Sequence, residues 1–296
     1  MRRWIVGVSA GLAFLGTVAA APPPRSADAI VVQGERQRAQ VDSFVGQLRP
    51  AQGDDQIGRF LKPICPEVAG LAKADNQKVA DRMRRLARAA GVEAAPAGCD
   101  RNILVFVVKD KRAAMAKIAG KYPQLLGGVP PSQYRGMASA PTGAASWQVV
   151  DEIGADGIPL AVVQFGPLGA ATPQREVTAM TTTRLRQLTV PQFLASVVVI
   201  EQKVARDVTT TQLGDYALMR ALTGARESDA APKQSILNLV NADLTGTEAP
   251  LSATWWDLAF LKSLYASNNA VQASVQRDAI ARQMMRELRQ LPTAQP

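Results

Sequence analysis

The chain has 296 residues, of which 47% are hydrophobic; this is enough to bury one large core or two modest ones and excludes disorder for most of its length. It contains no histidine, which excludes Ser-His-Asp and Cys-His triads and every zinc site with histidine ligands. The formal net charge is +9, but the basic residues are spread along the sequence and aromatic residues are few, so we expect no nucleic-acid partner.

The first twenty residues have the pattern of a secretory signal peptide. Arg2 and Arg3 precede an uncharged apolar run at residues 4–18, and Val18-Ala19-Ala20 is a small-x-small cleavage site. A transmembrane anchor is the alternative, but the run is short and interrupted by glycines. We therefore expect cleavage after Ala20, a mature net charge of +7, a periplasmic or secreted location, and no membrane span in the mature protein.

Residues 21–122 are predicted to form an N-terminal α/β unit in which strands and helices alternate. The expected elements are a strand at 30–32, a helix at 38–48, an extended segment at 57–65, a helix capped by Asp75 and stopped by Gly91, a strand at 102–108, and a helix capped by Asp110 and ending at Gly120. Residues 102–108 form a continuous β-branched and apolar run, which is typical of a strand buried on both faces.

Cys65 and Cys99 are the two cysteines of the chain. In an exported protein they form either a disulfide or two free thiols, and the disulfide is far commoner. The bridge would tie the extended segment at 57–65 to the start of the strand at 102–108. Because no C-x-x-C motif is present, a redox role is disfavoured.

Residues 123–146 carry four prolines and four glycines with little periodicity, so they are predicted to be a linker or a long surface loop. Residues 147–296 are expected to contain a β-hairpin and a helical C-terminal unit, either as a second domain or as one continuous domain with residues 21–122. The hairpin strands are predicted at 147–153 and 158–165, around a turn at Asp156-Gly157. A loop at 166–182 and a strand at 183–190 follow.

The last hundred residues are predicted to be mainly helical. Residues 193–204 fit a helix, but 197–200 fit a buried strand equally well, and periodicity does not separate the two. Capping-box pairs at Thr209/Gln212 and Thr254/Asp257 predict helices that start just after each threonine. A final helix is expected at 270–291. The predicted fold class is α+β: N-terminal strand–helix repeats around a small mixed sheet, a β-hairpin, and a mainly helical C-terminal third.

Carboxylate chemistry survives the absence of histidine, because a pair of acidic residues supplies acid and nucleophile in glycoside hydrolysis. The candidate carboxylates are Asp151, Glu152, Glu201, Asp207, Asp215 and Asp257. Each also has a structural explanation, as a helix N-terminal acid, a turn residue or ordinary surface charge. A hydrolase that uses carboxylates alone is therefore the alternative to a protein without catalysis.

Four arginines occupy one stretch of the helix that follows Asp75: Arg82, Arg84, Arg85 and Arg88. They are predicted to lie on its outer, solvated face, opposite an apolar face. The alternative is an anion-binding face.

The run VVVIEQKVARDVTTTQLGDYALMRALTG, followed by SILNLV and WWDLAFLKSLYAS, resembles the layout of uncharacterised exported bacterial proteins with a zincin-like helix, over about residues 196–267. In that family an H-E-E helix carries the metal site. The resemblance places Gly214 at the zinc-binding histidine, Asp215 at the catalytic glutamate and Leu218 at a second ligand. It thus implies a degenerate site without zinc; core packing, with Gly214 allowing another element to approach, is the other interpretation.

The chain also resembles small exported proteins of unknown function, through IVVQGERQ near its start, P-x-C-P at residues 63–66 and A-G-C at residues 97–99. This resemblance favours the disulfide and brings no activity with it. We therefore expect an exported envelope protein without catalytic residues, metal or cofactor. Its role would be binding or structural, and its partner an unknown envelope component or an anionic ligand.

Overall fold

The computed structural model describes residues 26–48, 56–127, 129–165, 172–176, 187–224, 232–240 and 248–290. The chain divides into two compact units, residues 1–36 and residues 37–296. The predicted signal peptide and the cleavage site after Ala20 lie outside the described residues. Within the described ranges, no helix is long and apolar enough to cross a membrane.

The described residues form an α+β fold, which confirms the predicted class. Its α-helices are α1 (Ser26–Leu48), α2 (Lys73–Ala89), α3 (Lys111–Lys121), α4 (Pro131–Ser139), α5 (Gln202–Ala205), α6 (Thr210–Thr223), α7 (Trp255–Ala266) and α8 (Ala273–Arg289). Its strands are β1 (Pro66–Ala69), β2 (Ile103–Val108), β3 (Ala144–Gly154), β4 (Ala161–Phe165), β5 (Thr172–Glu176) and β6 (Thr189–Glu201). Short 3-10 helices occupy Pro123–Leu126 and Ile236–Val240.

The main sheet is small and mixed, with strand order β1-β2-β6-β3. Strands β1, β2 and β6 run parallel, and β3 runs antiparallel to β6. Alternate residues of β6 enter two different cores, because successive side chains of a strand point to opposite faces. Val198 and Ile200 join a large core with α1, α2, α6, α7 and α8, whereas Val197 and Val199 join a smaller core with α3 and α4.

Local sequence signals place most helix ends correctly. The capping boxes Thr209/Gln212 and Thr254/Asp257 are both formed, at the starts of α6 and α7. Asp110 accepts a hydrogen bond from the backbone N–H of Ala113 and caps α3. Gly224 ends α6 in the left-handed conformation that favours glycine.

Two N-terminal predictions are wrong. Residues 30–32 belong to α1 and are not a strand, because a three-residue apolar run is too short to override the helix around it. Asp75 lies in the first turn of α2 but does not cap it; it pairs with Lys78, and Ala72 is the N-cap. The side-chain amide of Asn76 instead exchanges hydrogen bonds with the backbone of Leu71 just before the helix.

The segment at 123–146, predicted to be a linker or a long loop, contains a 3-10 helix, α4 and the start of β3. It is fixed by the buried side chain of Lys111, whose Nζ donates hydrogen bonds to the carbonyl oxygens of Ala140, Thr142 and Ala144. The indole N–H of Trp147 also donates to the carbonyl of Leu125. These anchors lie outside the segment itself, so its own proline and glycine content does not reveal them.

Both predicted hairpin strands exist, but they do not pair with each other as strands. The upstream strand, β3, pairs with β6, and the downstream strand, β4, pairs antiparallel with β5. Among the described residues, an isolated bridge between Ile153 and Pro159 is what links the predicted partners. The predicted loop at 166–182 contains β5, and of the predicted strand at 183–190 only the last residues are described, where β6 begins.

The segment at 197–200, for which helix and strand remained open, lies within β6 between β2 and β3. Cys65 and Cys99 form the predicted disulfide, with Cα atoms 6.0 Å apart. Cys65 directly precedes β1, and Cys99 lies shortly before β2, its parallel partner. The bridge therefore joins the starts of two paired strands.

Loss of this disulfide is expected to lower the free energy of unfolding by roughly 3 to 4 kcal/mol, because the bridge closes a loop of 34 residues in the unfolded chain. Chemical denaturation of oxidised and reduced protein measures the difference. The Cys65→Ala/Cys99→Ala variant is the control. Its denaturation midpoint should equal that of the reduced wild type and should not change when reductant is added. Equal midpoints for oxidised and reduced wild type would contradict the expectation.

Candidate functional site

Helix α6 carries the three positions that the resemblance assigns to a lost metal site. Every residue from Gln212 to Thr223 is buried, so the helix has no solvated face along this stretch. It lies against α2 on one side and the 3-10 helix at Ile236–Val240 on another. A helix buried all round belongs to the core of a domain.

Gly214 is the point at which α2 approaches the backbone of α6 closely. A β-carbon at this position would lie 3.0 Å from Cγ of Arg82 and 3.1 Å from the carbonyl oxygen of Val79. A side chain here would therefore require α2 or the side chain of Arg82 to shift. This contact agrees with the close-approach interpretation of Gly214.

Asp215 is completely buried and forms a bidentate ion pair with Arg82 of α2. Nε and Nη2 of the arginine donate to the two carboxylate oxygens at 2.6 and 2.7 Å. The backbone N–H of Ala253, just before α7, donates to the same carboxylate at 2.7 Å. The hydrogen bond with Asp215 raises the pKa of the Arg82 guanidinium, and this effect outweighs burial. The carboxylate thus has three donors and no exposed surface.

Leu218, at the position of the second ligand, is completely buried within the large core. Gly214, Asp215 and Leu218 therefore face a neighbouring helix, an arginine and apolar side chains. Over the ranges that the structure describes, no group of three or more His, Cys, Asp or Glu side chains is arranged to hold a metal ion. These three positions support packing, and the geometry offers Asp215 no path to a substrate.

Asp257, in the first turn of α7, is a second completely buried carboxylate. It accepts hydrogen bonds from the hydroxyl of Ser235 at 2.5 Å and from the backbone N–H groups of Ile236 and Thr254 at 2.9 and 2.8 Å. Burial raises its pKa to about 6, against the opposing effect of these hydrogen bonds. Since the adjacent amides of Ala253 and Thr254 bind Asp215 and Asp257 respectively, the start of α7 is held by two buried carboxylates.

Glu201 ends β6 and is mostly buried. Burial acts to raise the pKa of its carboxyl, but the ion pair with Lys203, at 2.7 Å, and the hydrogen bond from the backbone N–H of Lys111 lower that pKa below its usual value. The Glu201 side chain therefore links the end of the central strand to the start of α3. This role is structural.

One cleft, of about 420 Å³, opens beside the start of α6. Its lining residues are Pro141, Thr142, Gly143, Lys203, Val204, Asp207, Val208, Gln212, Leu239, Val240 and Ala249. Of the six candidate carboxylates, Asp207 is the one that lines it. Gln212 is already engaged there, because its amide nitrogen donates to the carbonyl of Pro250 and its amide oxygen accepts from the backbone N–H of Thr209.

The two remaining candidates, Asp151 and Glu152, lie on β3, with Glu152 exposed, and neither lines this cleft. The structure thus separates the six carboxylates: two are buried, one is engaged at a strand end, one lines a cleft, and two lie on β3. No two of these six carboxylates line the cleft together.

The predicted solvated face of four arginines on α2 is only half correct. Arg85 and Arg88 are exposed, but Arg82 pairs with Asp215, and Arg84 is buried and donates to the carbonyl oxygens of Pro66 and Ala95. One signal for Arg82 was present in the sequence. It lies three residues after Val79 and four before Leu86, which is the spacing of the buried face of the helix.

No protein-family model matches the chain, and neither a curated protein nor a solved structure matches it significantly.

Replacing Arg82 with methionine is expected to lower the free energy of unfolding by about 3 to 5 kcal/mol, because Asp215 is then left buried without its cation. The double variant Arg82→Met/Asp215→Leu should be more stable than Arg82→Met alone, since it removes the unpaired charge as well. Urea denaturation of the wild type and of each variant measures these differences in unfolding free energy. Arg85→Met, an exposed position on the same helix, is the matched control and should change stability by no more than about 0.5 kcal/mol. Equal effects of Arg82→Met and Arg85→Met would refute the role of the pair.

Asp257 should make the protein less stable as pH rises from about 4 to about 6. The pKa of its carboxyl is about 6 in the folded protein and 3.8 in the unfolded chain, so the folded protein binds the proton more tightly between these values. The difference in unfolding free energy between wild type and Asp257→Asn should therefore fall by on the order of 2 to 3 kcal/mol across this range. Glu201→Gln is the contrast, because a lowered pKa contributes stability that is lost as pH falls. Parallel pH profiles for wild type and Asp257→Asn would show that the Asp257 proton is not linked to folding.

Proposed function

We propose that this protein is an exported, non-catalytic factor of the cell envelope with a binding or structural role. The scaffold is that of a degenerate metallohydrolase in which the former catalytic helix has become part of the core. Two features support export: the signal-peptide pattern at residues 1–20 and the disulfide between Cys65 and Cys99, a bond that persists in oxidising compartments.

The observation that carries the non-catalytic half of the proposal is the ion pair of Asp215. A general base must reach a water molecule or a substrate proton, and Asp215 has three protein donors and no exposed surface. Gly214 cannot be restored to histidine without moving α2, because a β-carbon there already touches Arg82 and Val79. The resemblance of residues 196–267 to zincin-like exported proteins supports the same proposal, with packing in place of the metal.

A hydrolase that uses carboxylates alone is the alternative, and the geometry favours Asp207 as its acidic group. Asp207 is exposed and lines the 420 Å³ cleft together with Lys203. Glu201 is its nearest companion in sequence among the six candidates, but Lys203 and the backbone of Lys111 already engage that carboxylate. Among the described residues that line the cleft, Asp207 is the one carboxylate, whereas glycoside hydrolysis needs two.

If the protein is exported, a bacterial cell that expresses it should secrete it across the inner membrane and remove residues 1–20, so that Ala21 is its first residue. Cell fractionation with intact-mass measurement of the purified protein tests this. Replacing Ala20 with arginine should block cleavage and leave the longer chain attached to the membrane fraction, because the cleavage site requires a small residue. Recovery of the unprocessed chain from the cytosol would contradict export.

The same purified protein tests the non-catalytic half independently. Hydrolysis of peptide, ester and glycoside substrates should stay at the level of a buffer control and should not respond to added zinc. Activity that disappears in Asp207→Asn would establish the carboxylate alternative. Activity that disappears in Asp215→Asn, with folding intact by circular dichroism, would refute the proposal for α6.

A further inference from the structure

The segment that contains α3 and α4 carries a marked excess of positive charge. Residues 109–139 contain six lysines and arginines and one acidic residue, a net charge of +5. The mature chain after Ala20 carries +7, so the other residues together contribute only +2. The other residues include the basic helix α2, whose residues 73–89 carry a net charge of +4, and acidic segments that offset it.

Five of these six cations are exposed, and they form no ion pair with another described residue: Lys109, Arg112, Lys117, Lys121 and Arg135. The sixth, Lys111, is the buried anchor of the segment before β3. The one acid, Asp110, is engaged as the cap of α3. Elsewhere in the described chain, the exposed cations Arg38, Lys78 and Arg101 have acidic partners, whereas Arg85 and Arg88 of α2 form no ion pair with a described residue. The excess charge on α3 and α4 is therefore not neutralised locally.

The architecture places these cations on one side of the sheet. Helices α3 and α4 cover one face through a core that includes Met115, Tyr134 and Trp147, whereas the other helices with core contacts cover the opposite face. The hydroxyl of Tyr134 donates to the carbonyl of Met115 and holds α4 against α3. The outward face of this helix pair is thus separated by the whole sheet from the acidic residues of α2, α7 and α8.

Along α3 the exposed stripe alternates long basic side chains with very small residues. The exposed positions are Arg112, Ala113, Ala116, Lys117, Gly120 and Lys121. On the helix the small residues lie in the middle of the exposed arc, with Arg112 on one flank and Lys117 and Lys121 on the other, so the helix can approach a flat surface while the long side chains reach it from both flanks. Tyr122, half-exposed directly after Lys121, adds an aromatic ring of the kind that lies at the level of lipid headgroups.

We propose that the outward face of α3 and α4 binds the surface of a bilayer that contains anionic phospholipids. A row of exposed cations along two helices matches an extended layer of phosphate charge better than it matches a single small anion, which needs a concave site with converging donors. This inference rests on the proposed function in one respect: export decides which membrane the protein would encounter. The binding itself is a property of the folded protein and is tested without reference to export.

The test measures how tightly the purified protein binds vesicles of phosphatidylcholine with about 30% phosphatidylglycerol at about 50 mM salt. The protein is used as it is recovered from the expressing cell, with or without residues 1–20. The test variant carries Arg112→Gln, Lys117→Gln, Lys121→Gln and Arg135→Gln. The matched control carries Lys62→Gln, Lys73→Gln, Arg85→Gln and Arg88→Gln, which removes the same charge from exposed positions around β1 and α2.

Each basic residue near an anionic surface strengthens binding by about fivefold, so the test variant should bind on the order of 100-fold or more weakly than wild type. The control should lose less than about tenfold, and about 500 mM salt should abolish wild-type binding. Thermal denaturation of both variants verifies that each is folded. Equal losses in both variants would assign binding to overall charge and overturn the proposal. Equal binding of wild type to pure phosphatidylcholine, or no binding at all, would also overturn it.

Discussion

The ion pair between Asp215 and Arg82 is the interaction that fixes the helices of the large core relative to one another. The carboxylate receives Arg82 from α2 and the amide of Ala253 from the start of α7, while lying in the middle of α6, so three helices converge on one charge. A buried carboxylate is tolerated only when its donors are fixed, and here the helices that supply them pack into the large apolar core through their buried faces. The pair is therefore a constraint on relative helix position as much as a source of stability.

This constraint explains why Gly214 and Asp215 stand next to each other. The guanidinium of Arg82 reaches the carboxylate because α2 lies close to α6, and α2 lies that close because residue 214 has no side chain. The close approach of α2 and the ion pair are therefore two parts of one contact.

Sequence reasoning predicted several locally determined helix ends, although the Asp75 cap and the strand at 30–32 were wrong. Both capping boxes, the Asp110 cap and the glycine that ends α6 depend on residues three or four positions apart, and each is formed. The pairing of β3 with β6 and the anchoring of the segment at 123–146 by Lys111 depend on contacts that are distant in sequence. Arg82 is the instructive case: its spacing matched the buried face of α2, but its charge favoured the solvated face, and the partner that decides between them lies 133 residues away.

The charged residues on the two faces of the sheet differ in their surroundings. On the α6 face, Asp215 and Asp257 are buried and accept hydrogen bonds that hold helices together, although Arg85 and Arg88 of α2 are exposed. On the α3/α4 face, Lys111 and Asp110 are engaged within the fold, and the remaining described cations are exposed. Charge that is satisfied inside the fold stabilises it, whereas charge left unpaired on one side repels its neighbours until an external anion neutralises it. The exposed cations of α3 and α4 would therefore gain from contact with an anionic surface.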